Sequence, residues 1–210
     1  MKQISQDRDL QRERSFSYKS LMARPRTYDP DEALDRAMRL FWRRGFAAAS
    51  YDDLTRATGV SRKGLYTSFG DKRALFVKSL QRYRKTQAIS FLAELDEPNA
   101  GVAHISEMFW RIANVAKSPA GRNGCFMANT ANDETANDPD VQKQILLHLQ
   151  KTSDRFRQAL LRSAIPGSNV DSLADYLTGL LQGLFVLAHG GADAKMIDAY
   201  VREGLRVLKS

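Results

Sequence analysis

The sequence predicts an all-α protein, a small N-terminal three-helix head followed by a larger helical body. Three observations lead there. Apolar residues recur three and four apart along most of the chain, as at Ala33, Leu34, Ala37, Met38, Leu40 and Phe41, the spacing of one helix face. No segment alternates β-branched and polar residues as a half-buried strand does. Between Tyr51 and Lys72, two short apolar-striped segments flank Gly59-Val60-Ser61, which is the pattern of a helix-turn-helix.

Taken in order, residues 1–22 carry many charges and little apolar periodicity, and read as a flexible extension. Asp29-Pro30 offers a cap and a first-turn proline for the first helix. Gly45 ends that helix and Phe46 packs back under it. Ser50 caps the second helix, with Asp53 three residues on as a capping-box partner; Leu54 and Ala57 face its core. Gly59 suits a left-handed helix end and Ser61 the next N-cap. In the third helix Leu65 and Phe69 lie four apart on the buried side. Asp71 caps a long helix expected to run to about Glu94, with Leu75, Phe76 and Leu80 on one face. Further helices are expected at about residues 99–117, 122–136, 139–163, 170–190 and 193–208, separated by Pro98, Ser118-Pro119, Asp138-Pro139, Pro166-Gly167 and Gly190-Gly191. The chain thus divides into an extension (1–22), a head (23–72) and a body (73–210).

Charge is unevenly spread. The net charge is +8, from 32 Lys+Arg and 24 Asp+Glu. Residues 1–87 hold 20 of those cations and 10 of the acids, leaving 12 and 14 for the rest. All the positive excess therefore accompanies the helix-turn-helix, which points to a polyanion partner for that part alone. No apolar run of bilayer-spanning length is expected, and the first twenty residues lack the apolar centre of a signal peptide. A cytoplasmic protein without membrane contact is expected. The single Cys125 excludes an internal disulfide. His104, His148 and His189 fall on three separate expected helices without paired spacing, so no metal or other cofactor is expected. No nucleophile motif or glycine-rich phosphate loop appears, which argues against an enzyme.

The polar face of the third helix offers Arg62, Lys63, Tyr66, Thr67 and Ser68. A short basic helix carrying hydroxyl groups fits the major groove of DNA. The ordered set Leu40-Phe41, Gly45-Phe46, Leu54, Ala57, Gly59-Val60-Ser61, Leu65-Tyr66, Phe69, Lys72 and Leu75 resembles the TetR family of bacterial transcriptional regulators. The resemblance runs from Arg24 to about Leu80. It implies a two-fold dimer reading a near-palindromic operator, a small-molecule effector held in the body, and heads that spread when the effector binds. It also implies that Ser61, Arg62, Lys63, Tyr66 and Thr67 stand at recognition positions, that Ser50 and Lys72 contact phosphate, and that Arg24 and Arg26 form a basic arm. Family members commonly begin near this arm, and Met22 directly precedes it. Residues 1–21 are therefore expected to be either a mis-assigned start or an added basic arm.

In the body, Met108, Phe109, Trp110, Cys125, Phe126, Asn129, His148 and Phe156 are the expected effector contacts, an apolar set with a few polar groups. Cys125 stands near a helix start and near Arg122, both of which favour thiolate, so a thiol-sensor role is one reading and a small buried side chain the other. Tyr176, Leu177, Leu180, Leu184 and Phe185, with Gly179 and Gly183 beside them, are expected to form a dimer interface as a four-helix bundle from two chains. The function expected is a sequence-specific regulator, a repressor released from its operator by a small ligand. The alternative is a DNA-organising protein without a sensory ligand.

Overall fold

The computed structural model describes residues 28–163 and 169–208; the basic arm at Arg24 and Arg26, the extension, the question of Met22 and the break at Pro166-Gly167 lie outside them. Among the described residues every regular element is a helix. Helix α1 is Pro30–Ala48, with Asp31 and Glu32 in its first turn, where acids complement the helix dipole. Gly45 interrupts it at φ +74°, a left-handed value that glycine adopts without steric cost. The chain turns there, and Phe46 stacks on Phe41 with ring centroids 6.3 Å apart.

The head then follows its local chemistry. Helix α2 (Tyr51–Thr58) opens on Ser50 with both arms of the capping box made and closes on left-handed Gly59. Helix α3 (Arg62–Phe69) opens on Ser61, whose hydroxyl accepts from the Gly64 amide. Asp71 caps α4 (Lys72–Lys85) by accepting from the Ala74 amide at 2.7 Å.

Four expected helices differ. The long helix ends at Lys85 instead of continuing to Glu94. The Thr86 hydroxyl donates to the Arg82 carbonyl at 2.9 Å, and its amide is shared between the Arg82 and Tyr83 carbonyls. Such back-bonding bends helices, and the chain restarts as α5 (Gln87–Leu92) and a 3-10 turn, Ala93–Asp96. The helix expected at 99–117 starts later, as α6 (Val102–Ala116). The helix expected at 122–136 is three pieces: a 3-10 turn at Pro119–Asn123, α7 (Phe126–Ala131) and a 3-10 turn at Glu134–Asn137. Gly124 at φ +59° and extended Cys125 make the first break; the Asp133 carboxylate, accepting from the Thr135 amide, makes the second. Helix α10 (Ala194–Gly204) closes in a 3-10 turn, Leu205–Leu208.

The body is organised on α8 (Pro139–Arg162), which packs against α4, α7 and α9 (Val170–His189). Asp138 caps α8, and Pro139 occupies its first turn. Helix α9 also meets α6 and α10. At 20 residues and mean hydropathy 1.2, α9 has the length and composition of a membrane-crossing helix, against the expectation that no such run exists. Leu177 and Leu184 on it are fully buried, so that composition serves the body core.

Candidate nucleic-acid interface and cavity

Helix α3 seats Leu65 and Phe69 in the head core and turns Arg62, Lys63, Tyr66 and Thr67 outward. Tyr66 is 64% exposed, leaving its ring and hydroxyl open to an outside partner. The Arg62 guanidinium lies 4.3 Å from the centroid of the Tyr51 ring, a cation–π contact that aims it without neutralising it. Neither Arg62 nor Lys63 pairs with a carboxylate among the described residues.

Two hydroxyls in this surface are already committed as donors. Thr67 donates to the Lys63 carbonyl at 2.8 Å. Toward a base it therefore offers lone pairs and a methyl group, the latter a match for thymine. Ser50 donates to the Asp53 carboxylate at 2.7 Å and accepts from the Asp53 amide at 3.1 Å. Ser50, through its hydroxyl and its amide, and then Arg44 hold the Asp53 carboxyl below its ordinary range. Ser61, spent on the Gly64 amide, fixes the start of α3. Lys72 places its ammonium 4.5 Å from the Phe46 ring centroid and 3.5 Å from the Ala47 carbonyl, and partial burial lowers its proton affinity. Exposed Ser50 and half-buried Lys72 stand at the starts of α2 and α4, ends where the dipole favours anions.

The head meets the body through α4, where Phe41 and Phe46 lie against Phe76, each with ring centroids 5.1 Å apart. Phe126 of α7 meets Phe76 and Tyr83 of α4 edge-on, each at 5.7 Å. Trp42 meets Tyr83 at 5.0 Å and donates its indole N–H to the Asn123 carbonyl at 2.9 Å. Arg73 spans from α4 to Asp138 at 2.8 Å and Asp140 at 2.7 Å. These bonds raise its proton affinity and lower that of Asp138.

A cavity of about 460 Å³ opens between α5 and α8, within the range of small-molecule sites. Ala88, Leu92 and Leu95 form its apolar side, and Arg84, Lys85, His148, Lys151 and Arg155 are among its polar walls. Burial, reinforced by Arg84 and Arg155, pushes His148 down to about 4, so it is neutral at neutral pH.

Of the effector contacts expected from the sequence, His148 alone lines this cavity. Phe126 and Asn129 line a smaller one of about 220 Å³ beside α1, with Phe41, Trp42 and Phe46. Met108, Phe109 and Phe156 are closed into the core, the last two stacked at 5.9 Å. Half-buried Trp110 lines none of the described cavities. Large aromatics at these positions fill space instead of bounding it. Cys125 is 1% exposed, with the Tyr83 hydroxyl 3.4 Å and His148 Nε2 3.9 Å from its sulfur. Burial pushes this thiol up, opposing the thiolate-favouring surroundings expected from sequence. The sequence signal for this cavity was weak: Ala88, Leu92 and Leu95 form one stripe just after Arg84 and Lys85, but Lys151, Arg155 and Arg162 face it from α8, far along the chain.

Among the expected interface residues, Leu177, Leu180, Leu184 and Phe185 are buried within the protomer, and Tyr176 is 43% exposed. A helix apolar all round keeps its inner leucines for its own core. The outer stripe of α9 is Tyr176, Gly179 and Val186, with Val186 47% exposed, while Gly183 packs under the Tyr200 ring of α10.

A family model described as bacterial regulatory proteins, tetR family, matches residues 33–78. The chain is similar to the HTH-type transcriptional repressor ComR of Escherichia coli, 33% identical over 197 residues covering 90% of this chain and 93% of that one. It is 31% identical to the repressor BdcR of Escherichia coli, over 84% of this chain and 87% of the other. Among solved structures it resembles the TetR family regulator CifR bound to 26-bp double-strand operator DNA, with TM-score 0.75 and 26% identity, covering 87% of this chain and 98% of that one. A capped helix-turn-helix bearing unpaired cations, on a helical body, agrees with all of these: the chain is a DNA-binding transcriptional regulator and belongs to the tetR family of bacterial regulatory proteins.

Proposed function

We propose that the protein is a repressor that binds a near-palindromic operator as a two-fold dimer and is released by a small ligand. Residues 23–72 serve as the DNA-reading domain and residues 73–210 as the ligand and dimerisation domain. The observation that carries the reading is the path of α4. It begins at Lys72, beside the DNA-facing surface, and its last turn supplies Arg84 and Lys85 to the cavity wall. A ligand there bears on the same rigid rod that positions the head. Ligand binding then shifts the population toward a form whose recognition helices are mis-spaced for successive major grooves, about 34 Å apart.

In the head, Arg62 and Lys63 supply base or phosphate contacts, Thr67 accepts or touches a methyl, and Tyr66, Ser50 and Lys72 meet the backbone. Arg24 and Arg26 extend this as a basic arm. Two copies meet through Tyr176, Gly179 and Val186, with Leu180 and Phe185 beneath. The names of ComR and BdcR as repressors support the direction of regulation, and the operator complex of CifR supports the partner. Action on chromosomal DNA places the protein in the cytoplasm.

The test is selection from random duplex DNA by the purified protein at near-physiological salt, followed by sequencing. A near-palindrome is the expected product. Binding without sequence enrichment, with steep salt dependence, would instead support a DNA-organising role.

A further inference from the structure

We propose that the cavity between α5 and α8 receives an amphipathic organic anion, its acid group held by Arg84 and Lys151 and its hydrocarbon body laid on Ala88, Leu92 and Leu95. This deepens the reading of that cavity as the effector site, and rests on it.

The first argument is charge. The lining holds Arg84, Lys85, Lys151, Arg155 and Arg162 against Asp96 and Asp154. Both acids are engaged already. Asp96 receives two nitrogens of Arg155 at 2.8 and 2.9 Å, and Asp154 receives Arg157 at 2.8 Å. Arg162 donates to the Leu95 carbonyl at 3.2 Å. Arg84, Lys85 and Lys151 are left without a carboxylate partner among the described residues. A cationic ligand meets repulsion here, and a neutral one leaves the charges unmatched.

The second argument is an unmet hydrogen bond. Arg84 spends one terminal nitrogen on Gln144 at 3.3 Å, while its Nε is shut away from solvent with no acceptor. An enclosed guanidinium N–H without a partner is costly. A carboxylate, sulfonate or phosphate in the cavity accepts from a terminal nitrogen, and from Nε once the guanidinium swings out of its enclosed position, the two-pronged geometry that arginine favours. Neutral His148 beside it supplies a further hydrogen bond without adding charge. The third argument is shape: Ile89, 40% exposed, with Ala88, Leu92 and Leu95 behind it, gives the cavity an apolar side, so an inorganic anion fills only one end.

The test is fluorescence titration of the intact protein with anilinonaphthalene sulfonate and with phenyl-naphthylamine, the same apolar body without the acid group. The sulfonate is expected to bind at least about tenfold more tightly, and Arg84→Gln and Lys151→Gln are each expected to remove most of that preference. Lys151 is exposed, so its variant keeps the test decisive if Arg84→Gln does not fold. Equal affinity for both probes, or a preference undiminished in the folded variants, overturns the inference. Operator binding is measured on the same samples. An anion preference that both variants remove, without any effect of the sulfonate on DNA affinity, upholds the ligand class while removing the release mechanism. Loss of DNA binding in the unliganded protein tells against the regulator reading alone.

Discussion

At His148 burial and two guanidinium neighbours act in one direction, lowering the imidazole from 6.5 to about 4. The folded state therefore takes up a proton less readily than the unfolded chain. Above about pH 6.5 neither state is protonated at this position and stability is unaffected. As pH falls from about 6.5 toward 4, the unfolded state gains a proton that the folded state refuses, and stability is lost, by about 3 kcal/mol at the lower end. Urea unfolding across this window is expected to show the decline, and His148→Gln to flatten it; an equally steep decline in the variant would contradict the assignment. This residue was identifiable from the sequence only as one polar group among several candidates. Its environment was not, because Arg84 reaches it from another helix and its burial depends on packing between helices.

At the scale of the element, the caps were readable and the breaks were not. Ser50 with Asp53, Gly59, Ser61 and Asp71 each act within three or four residues of themselves, so their neighbours in sequence are their neighbours in space. The break at Thr86 replaces one stripe, ending at Leu80 and Tyr83, by another at Ala88 and Leu92. Both stripes fit a single helical period on paper, and the apolar pattern gives no sign of the back-bonding at Thr86 that parts them. The same holds at Gly124, where a side chain would press on the Phe185 carbonyl of α9. Because Ser61 satisfies the Gly64 amide at the head of the recognition helix, Ser61→Ala is expected to lower stability by about 1 kcal/mol. DNA affinity should fall more than stability, since the fraying falls on Arg62 and Lys63. Thermal unfolding and operator titration on one preparation compare the two losses, and a stable variant with full DNA affinity would show that the cap does not position the reading face.

Over the whole molecule, the helical periodicity sufficed for the architecture and the uneven charge for the kind of partner, while the inner and outer faces of α9 were not told apart. Leucines outnumber what one face requires, and sequence alone does not say which are spent inside. With Leu177 and Leu184 spent there, the proposed pairing surface is Tyr176, Gly179 and Val186. Val186→Lys is therefore expected to yield protomers of half the mass in sedimentation, with helix content unchanged and operator affinity lost. A variant that still sediments as a pair would move the interface elsewhere.

The aromatic cement between head and body has a mechanical consequence. Phe41, Phe46 and Trp42 of α1 close on Phe76 and Tyr83 of α4, which meet Phe126 of α7, and Arg73 is bolted to the start of α8, so a push on α4 at its cavity end is carried to its reading end. In the proposed pair, the gap between the two reading edges then follows the tilt of α4 in each copy. The gearing of such a switch is the span of that rod, from the cavity wall at Arg84 to the reading edge at Lys72.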